Sequence, residues 1–249
     1  MEIAHLSEAA PGRLNEDFVF TADGLVVVMD GVTAGPGPTG CSHDVRWLTR
    51  NLAARLAALL VGEPDLPPAE ALHRAITAVC ALHGGTCDLD NPDSPSTTVT
   101  VVRRRGRHLD YLALADSPLV VEGHDGRIIE VLDRRNHQLP DRPGVPNSAF
   151  RNQPDGYWVA GARPEAASHA LTGTVAWSGV RRFAVMSDGA SRLAEQFGWT
   201  WHRLLDTLQD GGPAQILQAV RAAERAMPTG SFRGKRHDDA TVVLCTPRP

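Results

Sequence analysis

Short apolar runs bounded by acid are the chemically loaded feature of this chain. Val26-Val27-Val28-Met29 leads into Asp30-Gly31, and Phe183-Ala184-Val185-Met186-Ser187 leads into Asp188-Gly189. Asp238-Asp239-Ala240-Thr241 opens the run Val242-Val243-Leu244, and Asn15-Glu16-Asp17 precedes Phe18-Val19-Phe20. Apolar, β-branched runs of this length read as buried strands, so each brings a carboxylate to the rim of a sheet. A glycine after the acid lets backbone come close to whatever the carboxylate holds. Several acids gathered there would repel one another unless a cation sits among them. All the donors are oxygens, so the expected cation is hard: Mg²⁺ or Mn²⁺ before Zn²⁺.

Two such cations, bridged by a carboxylate and a water, form a recurrent arrangement for hydrolysing phosphate esters. The metals acidify the water and offset phosphoryl charge. The arrangement needs a carboxylate shared by both ions, others that hold one ion each, and further acids that orient waters. Asp30, Asp188 and Asp238 suit the first two roles, and Glu16 and Asp17 the last. Asp-Gly is also a common turn dipeptide, and Asp23-Gly24 and Asp125-Gly126 read as turns only. Taken singly, Asp30 and Asp188 divide evenly between turn and ligand, and Asp238-Asp239 leans toward a solvated turn. Their joint placement at strand ends favours the ligand reading.

The elements that must position these acids follow from the rest of the chain. Its 249 residues, 42% hydrophobic, are enough for one sizeable core. A net charge of -4 gives no sign of a nucleic-acid partner. The one basic cluster, Arg103-Arg104-Arg105, reads as a hairpin turn between strand-like runs. Cys41, Cys80, Cys87 and Cys245 form no Cys-x-x-Cys pair, so neither a zinc ribbon nor a redox motif is expected. Free thiols fit a reducing compartment. No signal peptide is visible, and the apolar helix around residues 52–61 carries Arg55 and is too short to span a membrane. The expectation is a cytoplasmic chain without membrane contact.

Residues 2–31 read as three strands, with Ala22-Asp23-Gly24 as one turn. A Gly- and Pro-rich loop, 34–40, leads to a helix over about 42–61, with Val45, Leu48, Leu52, Leu56 and Leu59 at three- and four-residue steps. Pro67-Pro68 opens a second helix that ends near Gly84-Gly85. Residues 97–102 and 109–115 read as one hairpin, and 119–121 and 128–131 as another. Residues 133–163 hold Pro140, Pro143, Pro146 and Pro154 without periodicity, which suggests a functional flap or a poorly ordered stretch. A strand over 180–187, helices over 190–197, 201–208 and 213–227, and a last strand over 240–245 complete the chain. Strands that neighbour one another as hairpins argue for antiparallel sheets with helices outside: class α+β, or an α-β-β-α sandwich. No Gly-x-Gly-x-x-Gly follows directly on a strand, and no Walker A sequence is present.

In order, Asn15-Glu16-Asp17, Val28-Met29-Asp30-Gly31, Ser96-Thr97-Thr98, Ala115-Asp116-Ser117, Met186-Ser187-Asp188-Gly189 and Asp238-Asp239-Ala240-Thr241 resemble the motif series of the type 2C metal-dependent protein phosphatases, the PPM family. Each motif is weak alone; their order and spacing, from about residue 3 to 246, carry the resemblance. It implies a single domain over 1–249, a four-layer α-β-β-α sandwich with two antiparallel sheets and a flap-like insertion at about 133–165. It also implies a centre of two Mn²⁺ or Mg²⁺ ions between the sheets. By that resemblance Asp30 bridges the ions, the Gly31 carbonyl reaches the second, and Asp188 and Asp238 hold the first. Glu16 and Asp17 would orient water, and Asp116 would be the ligand of a third, weaker ion.

The chain also departs from the family pattern. Arg13, separated from Asn15 by Leu14 alone, is the candidate for the family's phosphate-binding arginine. It is weighed evenly against a surface charge, because a one-residue slip on a strand reverses a side chain's face. The family's Gly-Asp-Ser-Arg stands here as Ala115-Asp116-Ser117-Pro118, and its Asp-Asn as Asp238-Asp239, where the extra charge either tightens metal binding or is solvated. Asp30-Gly31 is followed by Val32-Thr33-Ala34-Gly35, with no histidine to protonate a leaving oxygen. His43 and His237 are replacements by position only, with a solvated surface role the commoner fate of a loop histidine. The expected activity is metal-dependent hydrolysis of phosphoserine or phosphothreonine in proteins, by direct attack of water. No Cys-x5-Arg loop is present to support a phospho-cysteine route. The expected partner is a phosphorylated protein or a small phosphate ester, met by a monomer. Two alternatives stand beside this: a dedicated small-molecule phosphatase on the same fold, and a catalytically silent partner-binding domain.

Overall fold

A computed structural model describes residues 1–33, 37–140, 144–228 and 235–248. The start of the Gly- and Pro-rich loop, with Ala34 and Gly35, and Pro143 of the aperiodic segment lie outside the described residues. One five-stranded sheet contains, in spatial order, β1 (Glu2–Glu8), β12 (Ala240–Thr246), β11 (Val180–Met186), β8 (Leu119–Gly123) and β9 (Ile128–Val131). The other contains β10 (Leu171–Ala176), β7 (His108–Leu114), β6 (Val99–Arg105), β3 (Leu25–Met29) and β2 (Phe18–Ala22). Every pairing in both sheets is antiparallel. A short ribbon joins β4 (Gly31–Val32) to β5 (Ser96–Thr97).

The apolar runs are continuous because both faces of each sheet are covered. In β3 all five residues are buried. Leu25, Val27 and Met29 pack with Leu48, Leu52 and Leu56 of α1 (Val45–Gly62) and Leu72 and Ile76 of α2 (Pro68–Leu82). Val26 and Val28 point the other way, into a core with Val121, Phe183, Val185 and Val243 of the facing sheet. That sheet's outer residues, Val120, Ala184, Met186, Val242 and Leu244, meet Leu193 of α3 (Asp188–Glu195) and Leu204, Leu208, Leu217 and Val220 of α4 (Trp201–Ala226). Period-two side-chain alternation thus builds three apolar layers between four structural ones, the expected α-β-β-α sandwich.

Several local expectations need correction. The basic cluster does not form the turn: Arg103, Arg104 and Arg105 end β6, and the turn proper follows at Gly106, where φ is 60°. Arg103 is buried and its guanidinium lies 3.7 Å from the Asp110 carboxylate, which Arg105 also pairs with at 2.8 Å. α1 starts at Val45 rather than 42, because the Asp44 side chain caps it by accepting the Trp47 N–H. Residues 171–176 form an edge strand that the sequence did not suggest, since its Leu-Thr-Gly-Thr-Val-Ala is largely exposed and only Val175 packs against the core. The two helices expected over 201–208 and 213–227 are both present and meet at Gly212, whose φ of 74° no helix interior tolerates and which Pro213 follows. The described residues of 133–170 contain three short 3₁₀ turns, and Tyr157, Trp158, Val159 and Ala160 anchor the segment by burial. Among the described residues no helix is long and apolar enough to cross a membrane.

Candidate metal centre

The strand register brings the acids to one rim. Val28 pairs with Thr100 and Val99 with Leu114, so the end of β3, the start of β6 and the end of β7 lie together. In the other sheet Met186 pairs with Val242, which places the end of β11 beside the start of β12. Asp30, Asp116, Asp188 and Asp238 stand at these ends and line one cleft of about 480 Å³. The two sheets are tied across it by the Asp188 N–H, which donates to Asp30 Oδ2 at 3.2 Å.

Neighbouring hydroxyls hold the backbone that presents the acids. The Asp30 carbonyl accepts the Thr97 hydroxyl (2.8 Å) and the Thr98 N–H (2.9 Å), while the Asp30 N–H donates to Thr98 Oγ1 (3.1 Å). Thr98 Oγ1 also bonds Ser117 Oγ at 2.6 Å, so three of the sequence motifs form one buried polar cluster. The two glycines that follow the acids also serve protein packing. A Cβ on Gly31 would meet Val45 Cγ1 at 2.5 Å and the Glu16 carbonyl at 2.7 Å; on Gly189 it would meet the Asp239 carbonyl at 1.9 Å. Ala115 sits at φ 68°, where the family pattern has glycine, and this turn aims Asp116 into the cleft.

The acids are crowded. Asp30 and Asp188 are half-buried, and their open side is the cleft. Burial, reinforced by the charges of Asp17, Asp188, Asp116 and Asp238, pushes the Asp30 carboxyl well above the usual range. Burial first, then Asp116 and Asp238, raises Asp188 to about 7 against the pull of Arg192. Asp17 is also raised to about 7 by burial, although the Thr241 hydroxyl donates to its Oδ2 at 2.7 Å. Asp17 Oδ1 is buried without a hydrogen-bond partner. An all-oxygen donor set whose members resist ionising together fits a hard divalent cation. Two side-chain cations already face it: Lys235 Nζ donates to Asp238 Oδ1 (3.0 Å) and Thr33 Oγ1 (2.6 Å), and an Arg192 nitrogen lies 3.5 Å from Asp238 Oδ2.

The other expected site residues are placed unevenly. Glu16 and Arg13 line a smaller depression that shares Thr33, Lys235 and Asp238 with the cleft. Arg13 lies in a turn, its N–H bonded to the Ala10 carbonyl, so the alternation rule of a strand does not apply to it. The Thr33 hydroxyl donates to Glu16. Asp17 does not line the cleft and acts on Asp30 through its charge. Asp239 neither reaches the cleft nor is solvated: its two oxygens accept the N–H groups of Ala10 and Glu16, each at 2.7 Å. An asparagine there has one acceptor oxygen; the second of Asp239 locks the loop that carries Glu16 and Asp17.

Neither histidine proposed by position lies at the cleft. His237 Nδ1 bonds the buried Glu224 at 2.7 Å, and His43 sits beside Cys41 and Cys87. His137 lines the cleft instead, its Nε2 3.7 Å from Asp116 Oδ2. The Asp116 carboxylate raises its pKa. Asn136 donates to the same oxygen. His137 escaped notice because it lies in the aperiodic segment, and Lys235 because no spacing ties it to the acids.

Comparison with known proteins bears on this arrangement. The family described as Protein phosphatase 2C matches residues 7–222. The PPM Ser-Thr phosphatase MsPP from Mycobacterium smegmatis, crystallised with cacodylate, is 21% identical with a TM-score of 0.61, over 98% of this chain and 97% of that one. The Mycobacterium tuberculosis serine/threonine phosphatase PstP/Ppp is 19% identical with a TM-score of 0.64, over 98% and 97%. A catalytic domain of PstP in complex with 2 manganese ions is 19% identical with a TM-score of 0.60, over 98% and 96%. No curated protein sequence matches the chain.

Proposed function

This chain belongs to the protein phosphatase 2C family, and from that membership we propose that it hydrolyses phosphoserine or phosphothreonine esters in a protein substrate, with Mn²⁺ or Mg²⁺ held at the acidic cleft. The observation that carries the reading is the meeting of Asp30, Asp116, Asp188 and Asp238, from both sheets, in one cleft. Asp30, Asp188, Asp238 and the Gly31 carbonyl would hold two ions, and Asp116 a third. When bound, such ions acidify a water and offset the charge of a phosphoryl group.

The chain's own residues supply the rest. Lys235 and Arg13 place positive charge along the side shared by the cleft and the depression, where phosphate oxygens would lie. Lys235 would exchange its contact with Asp238 for the substrate phosphate. While Asp116 holds no metal, it raises the basicity of His137, whose protonated form can give a proton to the departing serine or threonine oxygen. Glu16 and the Thr33 hydroxyl, already hydrogen-bonded to each other, would orient solvent where the depression meets the cleft. Asp17 raises the cost of leaving the cleft without a cation.

Turnover of a phosphoserine peptide, of p-nitrophenyl phosphate and of phosphorylated metabolites, with Mn²⁺ and after exhaustive chelation, tests the proposal. Chelation or Asp30→Asn should abolish all turnover, and the phosphopeptide should be preferred. Preference for a metabolite would move the substrate to a small phosphate ester. Unchanged turnover in chelated protein or in folded Asp30→Asn would overturn the reading.

A further inference from the structure

A second cluster of ligating side chains lies apart from the acidic cleft. The loop between β4 and α1 supplies Cys41 and His43, and the segment after α2 supplies His83 and Cys87. One ligand atom from each lies within 4.8 Å of every other. The sequence hides this set, because its members pair as Cys-x-His and His-x3-Cys some forty positions apart rather than as Cys-x-x-Cys. We propose that Cys41, His43, His83 and Cys87 form a structural Zn²⁺ site that fastens the loop leading from Gly31 into α1 to the end of α2.

The geometry suits a tetrahedral ion. Cys41 Sγ lies 3.7 Å from His43 Nδ1 and 3.5 Å from His83 Nδ1, and Cys87 Sγ lies 3.5 Å from His43 Nδ1. A zinc ion with Zn–S of about 2.3 Å and Zn–N of about 2.0 Å at tetrahedral angles separates sulfur from nitrogen by about 3.5 Å. The two sulfurs stand 2.9 Å apart and would open by just under 1 Å, to about 3.8 Å, on the metal. Both cysteines are free.

The surroundings are those of a prepared thiolate site. The His43 N–H donates to Cys41 Sγ at 3.3 Å and the Ser42 N–H to Cys87 Sγ at 3.4 Å. Trp47 stacks on the His43 ring, with centroids 3.8 Å apart, and meets the buried His83 ring edge-on at 4.9 Å. These contacts hold both imidazoles with Nδ1 toward the sulfurs. The Asp88 N–H donates to the Gly40 carbonyl at 2.7 Å, tying the two segments together beside the cluster. Both sulfurs would bind as thiolates, any thiol proton leaving to solvent, and two thiolates, two neutral imidazoles and Zn²⁺ sum to zero charge. Four protein ligands leave no open position, so the site is structural rather than catalytic. Sulfur and nitrogen donors here, against oxygen donors in the cleft, would let one chain hold two kinds of metal without exchange.

Titration of the reduced wild-type protein with Co²⁺ is the test. The cluster should give a sulfur-to-cobalt charge-transfer band and tetrahedral visible bands, saturating at one ion per chain and bleached by one equivalent of Zn²⁺. The carboxylates of the cleft cannot give a thiolate band, so Asp30→Asn should leave it intact. Cys87→Ser and His83→Asn should weaken metal retention by at least about tenfold, whereas Cys80→Ser should not. Absence of the band in reduced wild-type protein would overturn the proposal without recourse to any variant. So would a band of unchanged intensity and midpoint in Cys87→Ser. A zinc-free isolated protein with a Cys41–Cys87 disulfide, giving no thiolate band with Co²⁺ once reduced, would show a redox pair instead.

Discussion

Asp188→Asn should stabilise the metal-free protein while removing its activity. Asp188 has its carboxyl raised from 3.8 to about 7, by burial first and then by Asp116 and Asp238. The folded chain therefore keeps a proton that the unfolded chain releases above about pH 4. The stability linked to that proton is fully present below pH 4 and is lost as pH rises through 7. A shift of about three units corresponds to about 4 kcal/mol at pH 8, an upper limit because Asp30 and Asp188 share the strain. Asparagine is neutral at every pH and escapes the loss. Without metal, wild type and Asp188→Asn should match at pH 4, and the variant should lead at pH 8 by about 2–4 kcal/mol, or roughly 5–15 °C in Tm. Mn²⁺ at a thousand times its Kd should reverse the order, since it adds about 4.1 kcal/mol to the form that binds it. Thermal denaturation of chelated and Mn²⁺-loaded samples at both pH values reads all four states. An equal difference at pH 4 and pH 8 without metal, or a less stable variant at pH 8, would refute the electrostatic reasoning.

Other expectations follow from single contacts. His137→Gln should lower kcat on a phosphoserine peptide by about 10²-fold, and much less on p-nitrophenyl phosphate, whose leaving group needs no proton; equal losses would remove His137 as the donor. Asp239→Asn should cost about 1–3 kcal/mol in urea denaturation, because either the Ala10 or the Glu16 N–H is left without its acceptor. Ala115→Gly should not show the usual glycine penalty of about 0.5–1 kcal/mol, since relief of the φ 68° conformation offsets it.

Much of the fold was legible because both faces of each sheet are buried. That produces runs such as 25–29 and 180–186, whose ends can be read to within a residue or two. The acids at those ends were legible for the same reason, and antiparallel pairing then brings them to one rim. Edge strand β10 was not, because it packs mainly along one side and carries two threonines and a glycine in six residues. Asp239 could be placed next to a ligand but not understood, since its partners are backbone groups more than 220 positions away. His137 and Lys235 gave no periodic signal; only the folding of residues 133–138 over Asp116, and of residues 235–239 beside Thr33, brings them to the cleft. The Cys and His ligands were visible singly, but their meeting depends on how the chain returns from α2 to the loop before α1.

Anomalous diffraction from a crystal soaked in Mn²⁺ tests the central claim most directly. Strong peaks are expected within coordination distance of the Asp30, Asp188 and Asp238 carboxylates, with Lys235 displaced from Asp238. An unoccupied cleft at millimolar Mn²⁺, with Lys235 still on Asp238, would contradict it.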